Sequence, residues 1–434
     1  MKYYIFFLFC FPSFVFCQDT LSLEQSIQLA IENNFNIKIV SNDLNKAKKQ
    51  HHIGNAGMLP SISSSATFFD LGTGRVEQNS VGQTDVIKPA KTRSFNYSVN
   101  ASQTLFDGLA MFKAYDRLGE LVDFQSLKKR EEVENVVTQV ISLYYNVLVQ
   151  DNLVKTTLEA VSLSAQRLEL ASKRLETGAG LRLDVLNAKV DLASDSSALL
   201  ESQRAMNESK LFLNYLLGLP KGQTEKEFMD SVILNPYILN ELTEKEISSN
   251  VLIKQSLKNE KVTELDYQLF QAAKLPEIYL SGRFSHSNSQ RDFGFASKTV
   301  SDLFSLDLTA SYTLFQGFQR NIQIQTAKID YLNQQLQTQE LELRIGKDFK
   351  TSKQNLKTRL SQYELERNNL GVFQENYERS KKSYEYGKIT TTQLREAQLN
   401  LIQAKRRLFE AKINAKLEEV ELLRLSGMLL SDEQ

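Results

Sequence analysis

The residues of this chain that could serve catalytic or metal chemistry form no recognisable constellation. There are three histidines, and the adjacent pair His51 and His52 lies at a predicted helix end without a nearby carboxylate motif. The only cysteines are Cys10 and Cys17. No glycine-rich phosphate loop or nucleophile elbow occurs. We therefore predict that the protein is not an enzyme and holds no metal or cofactor.

The first seventeen residues have the layout of a secretory signal peptide. An apolar run from Tyr3 to Phe16 is too short to cross a bilayer as a helix. Val15 at position −3 and Cys17 at −1 favour cleavage after Cys17, so that the mature chain starts at Gln18. The alternative, a lipoprotein acylated at Cys17, is disfavoured because bulky Phe16 stands where a small residue is expected. Cleavage would leave a mature chain without thiols.

Overall charge argues against a nucleic-acid partner, because 52 basic and 52 acidic residues give a formal net charge of zero. After the signal peptide, no segment has the roughly 18 consecutive apolar residues that a membrane helix needs. Any later membrane crossing must therefore be made by strands.

Four tracts without proline predict long helices, because they are rich in strong helix formers. They cover residues 109–177, 181–217, 317–386 and 390–426. Glycines end the tracts or mark their turns, and each recurs 209 residues later: Gly108 as Gly317, Gly178 as Gly387, and Gly218 as Gly427. The motif Thr-Leu-Phe-x-Gly precedes the first tract of each set. The chain is therefore an internal duplication.

Apolar residues in these tracts follow a 3,4 spacing that is typical of helices packed as coiled coils. Val185, Ala188 and Leu192 illustrate the pattern in the first copy. Polar residues interrupt the same seam at Asp195 and Ser202.

Four segments alternate between apolar and polar residues and predict strands, at about 60–70, 94–106, 276–286 and 304–315. The polar stretches between them, 71–93 and 287–303, are predicted to be outer loops. Four strands cannot close a barrel, and open edges cannot lie in lipid. Three copies would supply twelve strands around a lumen, whereas two would give a small plugged barrel.

The predicted fold is mainly α with a small transmembrane β part. Long antiparallel coiled-coil helices, about 100 Å in tracts 109–177 and 317–386, would form an α-barrel below a twelve-stranded trimeric β-barrel. The predicted divisions are a signal peptide at 1–17, a first repeat at 18–218, a mid-height linker at 219–242, a second repeat at 243–427 and a tail at 428–434.

The order of these elements, with Arg174-Leu-Glu-Thr-Gly178 and Asp184-Val-Leu-Asn-Ala188, resembles the TolC-like outer membrane efflux proteins. The resemblance covers nearly the whole mature chain. It implies an outer-membrane homotrimer with a long periplasmic extension, in contact with outer membrane lipid, a periplasmic adaptor and an inner-membrane pump. The implied function is the exit duct of a tripartite efflux or type I secretion system, and both cargo classes remain open.

The resemblance also implies a gate and a docking end. Asp184 matches an acidic residue that holds the periplasmic entrance shut, and Tyr384 the aromatic residue that bonds it. The arginine expected in relatives is replaced by Ile389. Two further ring positions correspond to Gln393 and Glu396, of which only the second is charged. The turns expected to contact the adaptor contain Gly178, Ala179, Gly387 and Lys388.

A second class of function is a periplasmic coiled-coil adaptor or another structural interaction protein. Such a protein would explain the helical hairpins but not four strands of membrane-spanning length. Recovery in the outer-membrane fraction would separate the two classes.

Overall fold

A computed structural model of the chain describes residues 20–80, 83–219, 227–228, 232–294 and 296–430. The predicted signal peptide, Cys17, the start at Gln18 and the tail residues 431–434 lie outside these ranges. The chain divides into two compact units. One contains residues 1–40, 129–251 and 343–434, and the other contains residues 41–128 and 252–342. Each unit combines elements from both sequence repeats, and in the second unit the strands of both repeats join one sheet.

The described chain is mainly helical, as predicted. Its helices are α1 (Leu23–Asn33), α2 (Phe35–Gln50), α3 (Ala110–Glu176), α4 (Arg182–Leu216), α5 (Ile238–Glu241), α6 (Val251–Ala272), α7 (Gln319–Glu385) and α8 (Thr391–Leu425). The four proline-free tracts match α3, α4, α7 and α8 within two residues, which confirms that prediction. None of the described helices combines the length and apolarity needed to cross a bilayer.

The described residues form six strands: β1 (Thr20–Leu21), β2 (Ser61–Ser80), β3 (Gln83–Phe106), β4 (Glu227–Phe228), β5 (Glu277–Arg291) and β6 (Lys298–Ser311). The predicted strand lengths were wrong, since much of the two polar stretches expected to be loops is paired. The sheet order is β2-β3-β5-β6, with every neighbouring pair antiparallel. Backbone pairing continues beyond the residues that alternate between apolar and polar. A strand exposed to water on both faces can pair without apolar side chains.

The register of this sheet sorts its side chains onto two different faces. One face carries apolar side chains in aligned rows, such as Val99, Phe284 and Phe304. The other is rich in serine and asparagine, and its hydroxyl groups bond across the strands, as in Ser61 with Ser102 at 2.8 Å. The sheet thus has one face suited to lipid and one suited to water.

Glycine in the left-handed conformation ends four helices with the same hydrogen-bond pattern. After α8, the Gly427 N–H donates to the Arg424 carbonyl and the Met428 N–H to the Leu423 carbonyl. This is the Schellman arrangement, and it recurs after α3, α4 and α7. Gly427 has φ +73°, and a Cβ there would lie 2.6 Å from the Ser249 carbonyl oxygen. Only glycine fits this close approach.

Buried asparagines attach the shorter helices to the ends of α4 and α8. The Asn34 amide donates to the Leu216 carbonyl at 2.9 Å, and the Asn250 amide to the Leu425 carbonyl at 3.0 Å. Asn34 also caps α2 through the Asn36 N–H, which separates α2 from α1. Asn34 and Asn250 are 216 residues apart in the sequence, whereas Leu216 and Leu425 are 209 apart. The spacing differs because the strand hairpin that lies between each asparagine and its leucine is shorter in the second repeat.

The segment predicted as a plain linker at 219–242 is partly structured. Its β4 pairs in parallel with β1, and Val232 is buried in the same apolar cluster as Tyr144 and Leu21. The Asn235 N–H donates to the buried Glu419 carboxylate at 3.1 Å. Short apolar stretches between prolines gave no periodic signal, so their burial was invisible in the sequence.

Replacing Gly427 with alanine is expected to destabilise the protein by at least about 1–2 kcal/mol, because a left-handed Cβ is strained and meets the Ser249 carbonyl. Thermal unfolding followed by circular dichroism measures the change. The matched control is Gly371→Ala inside α7, where no atom lies within 4 Å. It should stabilise by about 0.5–1 kcal/mol. Equal effects of the two substitutions would contradict the close approach.

Candidate functional site

The turns that join α3 to α4 and α7 to α8 have equivalent backbones. In the first, the Gly178 N–H donates to the Leu175 carbonyl, and the Ala179 N–H to the Arg174 carbonyl. The second repeats the pattern with Gly387 and Lys388 as donors. Both glycines have positive φ, +75° and +73°. Ala179 and Lys388 are exposed, so each turn presents one side chain to solvent at the same structural position.

Arg174 connects the two turns. Its Nη1 donates to the Tyr384 carbonyl at 2.8 Å and its Nη2 to the Ala179 carbonyl at 3.3 Å. The guanidinium also lies 5.0 Å from the centroid of the Tyr384 ring, within the range of a cation–π contact. The guanidinium also packs close to the second turn, since its Nη2 lies 3.4 Å from where a Cβ would stand on Gly387. One side chain thus holds both hairpin ends together.

Asp184 and Tyr384, expected to bond each other, have different partners in the described chain. Asp184 is near the start of α4, and its Oδ2 accepts the Leu181 N–H at 3.4 Å. Tyr384 is only 3% exposed, and its hydroxyl has no hydrogen bond among the described residues. A carboxylate at a helix start is drawn to the free N–H groups there. Any bond between the two side chains is therefore not made within this chain.

The two predicted ring positions differ in what they contact. Gln393 forms a capping box with Thr390: its Oε1 accepts the Thr390 N–H at 2.9 Å, and its own N–H donates to the Thr390 hydroxyl at 3.3 Å. Glu396, one turn further along α8, is exposed and has no ion pair among the described residues. Only Glu396 can therefore contribute a free negative charge.

Ile389 occupies an apolar environment, which explains why an arginine is absent there. It packs with Tyr384 and Leu394 in a cluster that also contains Tyr377, Ala397 and Leu401. The cluster joins α7 and α8 to residues of α3. The positive charge near Tyr384 therefore comes from Arg174 on the first hairpin.

A buried ion pair that the sequence analysis did not identify joins α8 to α4. Both terminal nitrogens of Arg395 donate to the two Asp195 oxygens at 2.6 Å. Ser164 on α3 donates to the same carboxylate at 2.5 Å. The Asp195 and Arg395 side chains are 10% and 14% exposed. The polar residue Asp195 in an otherwise apolar seam was the one sign of this ion pair in the sequence. Nothing in the sequence identified Arg395 as its partner.

A second arginine extends this network. Arg167 on α3 is buried and pairs with Asp191 through Nη2, and Asp191 also lies 3.9 Å from the Arg395 Nε. The Nε and Nη1 atoms of Arg167 are buried without a hydrogen-bond partner. Unpaired buried donors are rare, and here they lie beside two carboxylates that already have arginine partners.

The pKa values reflect burial and pairing together. Burial alone would raise the pKa of Asp195, but hydrogen bonds from Arg395 and Ser164 hold it below its ordinary value. The same bond raises the pKa of Arg395, whereas burial lowers that of Arg167. Because the folded pKa of Asp195 is depressed, its stabilising contribution is complete above about pH 4. It is lost as the pH falls through the folded pKa.

The duplication does not repeat the carboxylates of this network or the serine that bonds them. The positions 209 residues after Ser164, Asp191 and Asp195 are Phe373, Asn400 and Ala404. The two hairpins therefore share turns and length but differ in their buried charges. The charges hold α8 of the second hairpin to α3 and α4 of the first.

Known proteins with the same architecture are found by both family and structure. A family model described as "Outer membrane efflux protein" matches residues 26–219 and 242–428. No curated protein sequence matches the chain significantly. Among solved structures, the Campylobacter jejuni CmeC outer membrane channel is 15% identical with a TM-score of 0.79, covering 95% of this chain and 87% of that one.

Two further channels are similar in fold. The outer membrane protein VceC from Vibrio cholerae has a TM-score of 0.74 at 16% identity, covering 93% of this chain and 96% of that chain. The open-state structure of the Neisseria gonorrhoeae MtrE outer membrane channel has a TM-score of 0.71 at 14% identity, covering 95% and 90%.

Replacing Arg395 with methionine is expected to cost about 3–5 kcal/mol, because it leaves the Asp195 carboxylate buried without its main partner. Urea unfolding measures the loss. The control Arg379→Met removes an exposed i,i+4 pair with Glu375 and should cost less than about 1 kcal/mol. Adding Asp195→Leu to the first variant should restore most of the stability. A cost below that of the control would contradict the buried pairing.

Proposed function

The chain belongs to the outer membrane efflux protein family, and from this premise we propose that it is one protomer of a trimeric exit duct. The duct would lie in the outer membrane with its helices extending into the periplasm. It would conduct passively and be opened at its periplasmic tip by an adaptor and an inner-membrane pump. The cargo could be small molecules or secreted protein.

The observation that carries the proposal is the four-stranded sheet, with one apolar face, one hydroxyl-rich face and two open edges. Among the described residues, β2 and β6 each have a partner on one side only. Backbone groups in lipid must be paired, so other copies of the chain must complete the sheet. Three copies supply twelve strands, enough for a lumen lined by the hydroxyl-rich face.

The helices offer independent support for self-association. Ile322, Ile329, Leu336 and Leu343 follow one another at seven-residue spacing on α7 and are each at least 55% exposed. A regular apolar stripe on a long helix is typical of a helix–helix seam. We propose that this stripe packs against a neighbouring protomer.

The hairpin ends are the proposed gate and docking surface. Arg174 and the Arg395–Asp195 pair hold the two hairpins together within one chain. We propose that opening separates the second hairpin from the first and breaks these contacts. Asp184, Tyr384, Gln393 and Glu396 would complete the closed entrance between neighbouring protomers. The exposed residues Ala179 and Lys388, beside Gly178 and Gly387, would contact the adaptor.

Opening would release Asp195 from Arg395, which normally leaves a costly unpaired charge. Arg167 could donate to the released carboxylate, because its buried Nε and Nη1 have no hydrogen-bond partner in the closed arrangement. Its side chain is already in the same network through Asp191. We propose that Arg167 becomes the partner of Asp195 when the second hairpin moves away.

The trimer is tested by Leu336→Glu, which places a charge in the proposed seam. Native mass spectrometry in detergent should show trimers for the wild type and mainly monomers for the variant. The neighbouring exposed substitution Gln337→Glu is the control and should leave trimers intact. Trimers of unchanged abundance in Leu336→Glu would exclude α7 from the seam. A wild-type monomer, or a protein missing from the outer-membrane fraction, would refute the proposed duct.

The gate is tested by Arg174→Met in planar bilayers. Loss of a charged hydrogen bond worth about 1.5–3 kcal/mol should shift each protomer about tenfold or more toward the open state, and raise single-channel conductance. Lys173→Met is the control, since the adjacent lysine pairs with Glu169 on the exposed surface.

The double variant Tyr384→Phe with Asp184→Ala distinguishes contacts within one chain, made by Arg174, from contacts proposed between protomers, made by Asp184 and Tyr384. If it raises conductance while Arg174→Met does not, closure would depend on contacts between protomers. Unchanged conductance in both variants, with trimers present, would remove this end of the hairpins from the gate.

A further inference from the structure

The apolar face of the sheet ends in a row of cations. Moving away from the helices, the rows of this face begin at Ile278 and continue through Leu280 with Leu308, then Leu306, and then Phe284 with Phe304. Two more rows follow, one with the His286–Asp302 pair and one with Phe95 and Val300. Beyond them, Arg93, Gln290 and Lys298 are aligned across three neighbouring strands. Lys91 follows two residues beyond Arg93 and therefore shares its face.

The position of this row corresponds to the outer edge of a membrane. Ile278 and Gln290 are twelve residues apart on β5, which is about 40 Å along a strand. At a strand tilt of about 40°, the separation along the membrane normal is roughly 30 Å, slightly more than an apolar band of about 25 Å. Aromatic side chains mark the same border, since Phe68 and Phe95 lie 5.7 Å apart one row below Arg93.

The cations of this row are exposed and available to a ligand. Lys91, Arg93 and Lys298 have no ion pair among the described residues, and Asp292 beyond the end of β5 forms none with them. His286 and Asp302, which lie two rows nearer the helices on the same face, differ from these cations because they bond each other at 2.7 Å. Neighbouring strands are about 4.8 Å apart, so the backbones of Arg93 and Lys298 are about 10 Å apart. Their long side chains can converge on one phosphate between them.

We propose that this row binds the phosphate of an anionic lipid head group in the outer leaflet. The inference rests on the proposed function, which turns the apolar face toward lipid. The apolar rows would contact the acyl chains of the same lipid, and Arg93 and Lys298 would contact the phosphate where the chains end. Gln290 adds an amide donor between the two cations. A free anion would gain the charges but not the apolar contacts.

The test is native mass spectrometry of the purified trimer titrated with bisphosphorylated lipid A. The wild type should bind the lipid, and Arg93→Gln with Lys298→Gln should reduce the bound fraction at least tenfold. The matched control is Arg291→Gln, because Arg291 pairs with Thr92 one residue away on the opposite face of the sheet. This control should bind lipid as the wild type does. Dephosphorylated lipid A should bind the wild type at least tenfold more weakly.

Three results would overturn the inference: unchanged binding in the double variant, an equal loss in Arg291→Gln, or equal binding of dephosphorylated lipid. Complete displacement of the lipid by millimolar inorganic phosphate would also overturn it, since the site would then select a free anion. The same spectra report the oligomer. A wild type that forms no trimer refutes the proposed function and the inference together, whereas trimers with unaffected lipid binding refute the inference alone.

Discussion

Unpaired backbone groups at the edges of the sheet are the constraint on which the remaining structure depends. β2 and β6 each leave a row of N–H and C=O groups without a partner strand among the described residues. Such groups are costly in an apolar solvent, and in the proposed trimer neighbouring copies of the chain would pair them. Closing the sheet in this way would give its two faces different roles. The face with Phe284 and Phe304 is suited to lipid, and the face with Ser61 and Ser102 is suited to water.

The duplication supplies two hairpins of equal length, and the buried charges make them unequal. Identical glycine turns bring the hairpin ends to equivalent backbone positions. Only the first copy provides Asp195 and Arg167, and only the second provides Arg395. Buried ion pairs contribute less to stability than well-packed apolar side chains would. In the proposed gate, an interface held by a few directed bonds would separate more readily than a continuous apolar seam.

Arg174 places a guanidinium at the turns although the second hairpin has no arginine beside its own turn glycine. The position that resembles an arginine site holds Ile389, which packs in an apolar cluster. A guanidinium nevertheless lies against Tyr384, and it comes from the other hairpin. The guanidinium packs beside Gly387, whose positive φ of +73° makes the backbone reversal. The contact between hairpins is therefore made at the turn itself.

The sequence by itself determined the features that depend on neighbours a few residues away. The turns at Gly178 and Gly387, the long helices and the apolar alternation of the strands were all predictable, because backbone conformation and side-chain period are local properties. The tertiary structure alone decided which groups meet. Asp195 was visible as a polar interruption, but its partner Arg395 is 200 residues away and is chosen by how the helices pack. The polar ends of β2 and β3 were missed for the same reason: their pairing is made by the partner backbone, which leaves no pattern in the side chains.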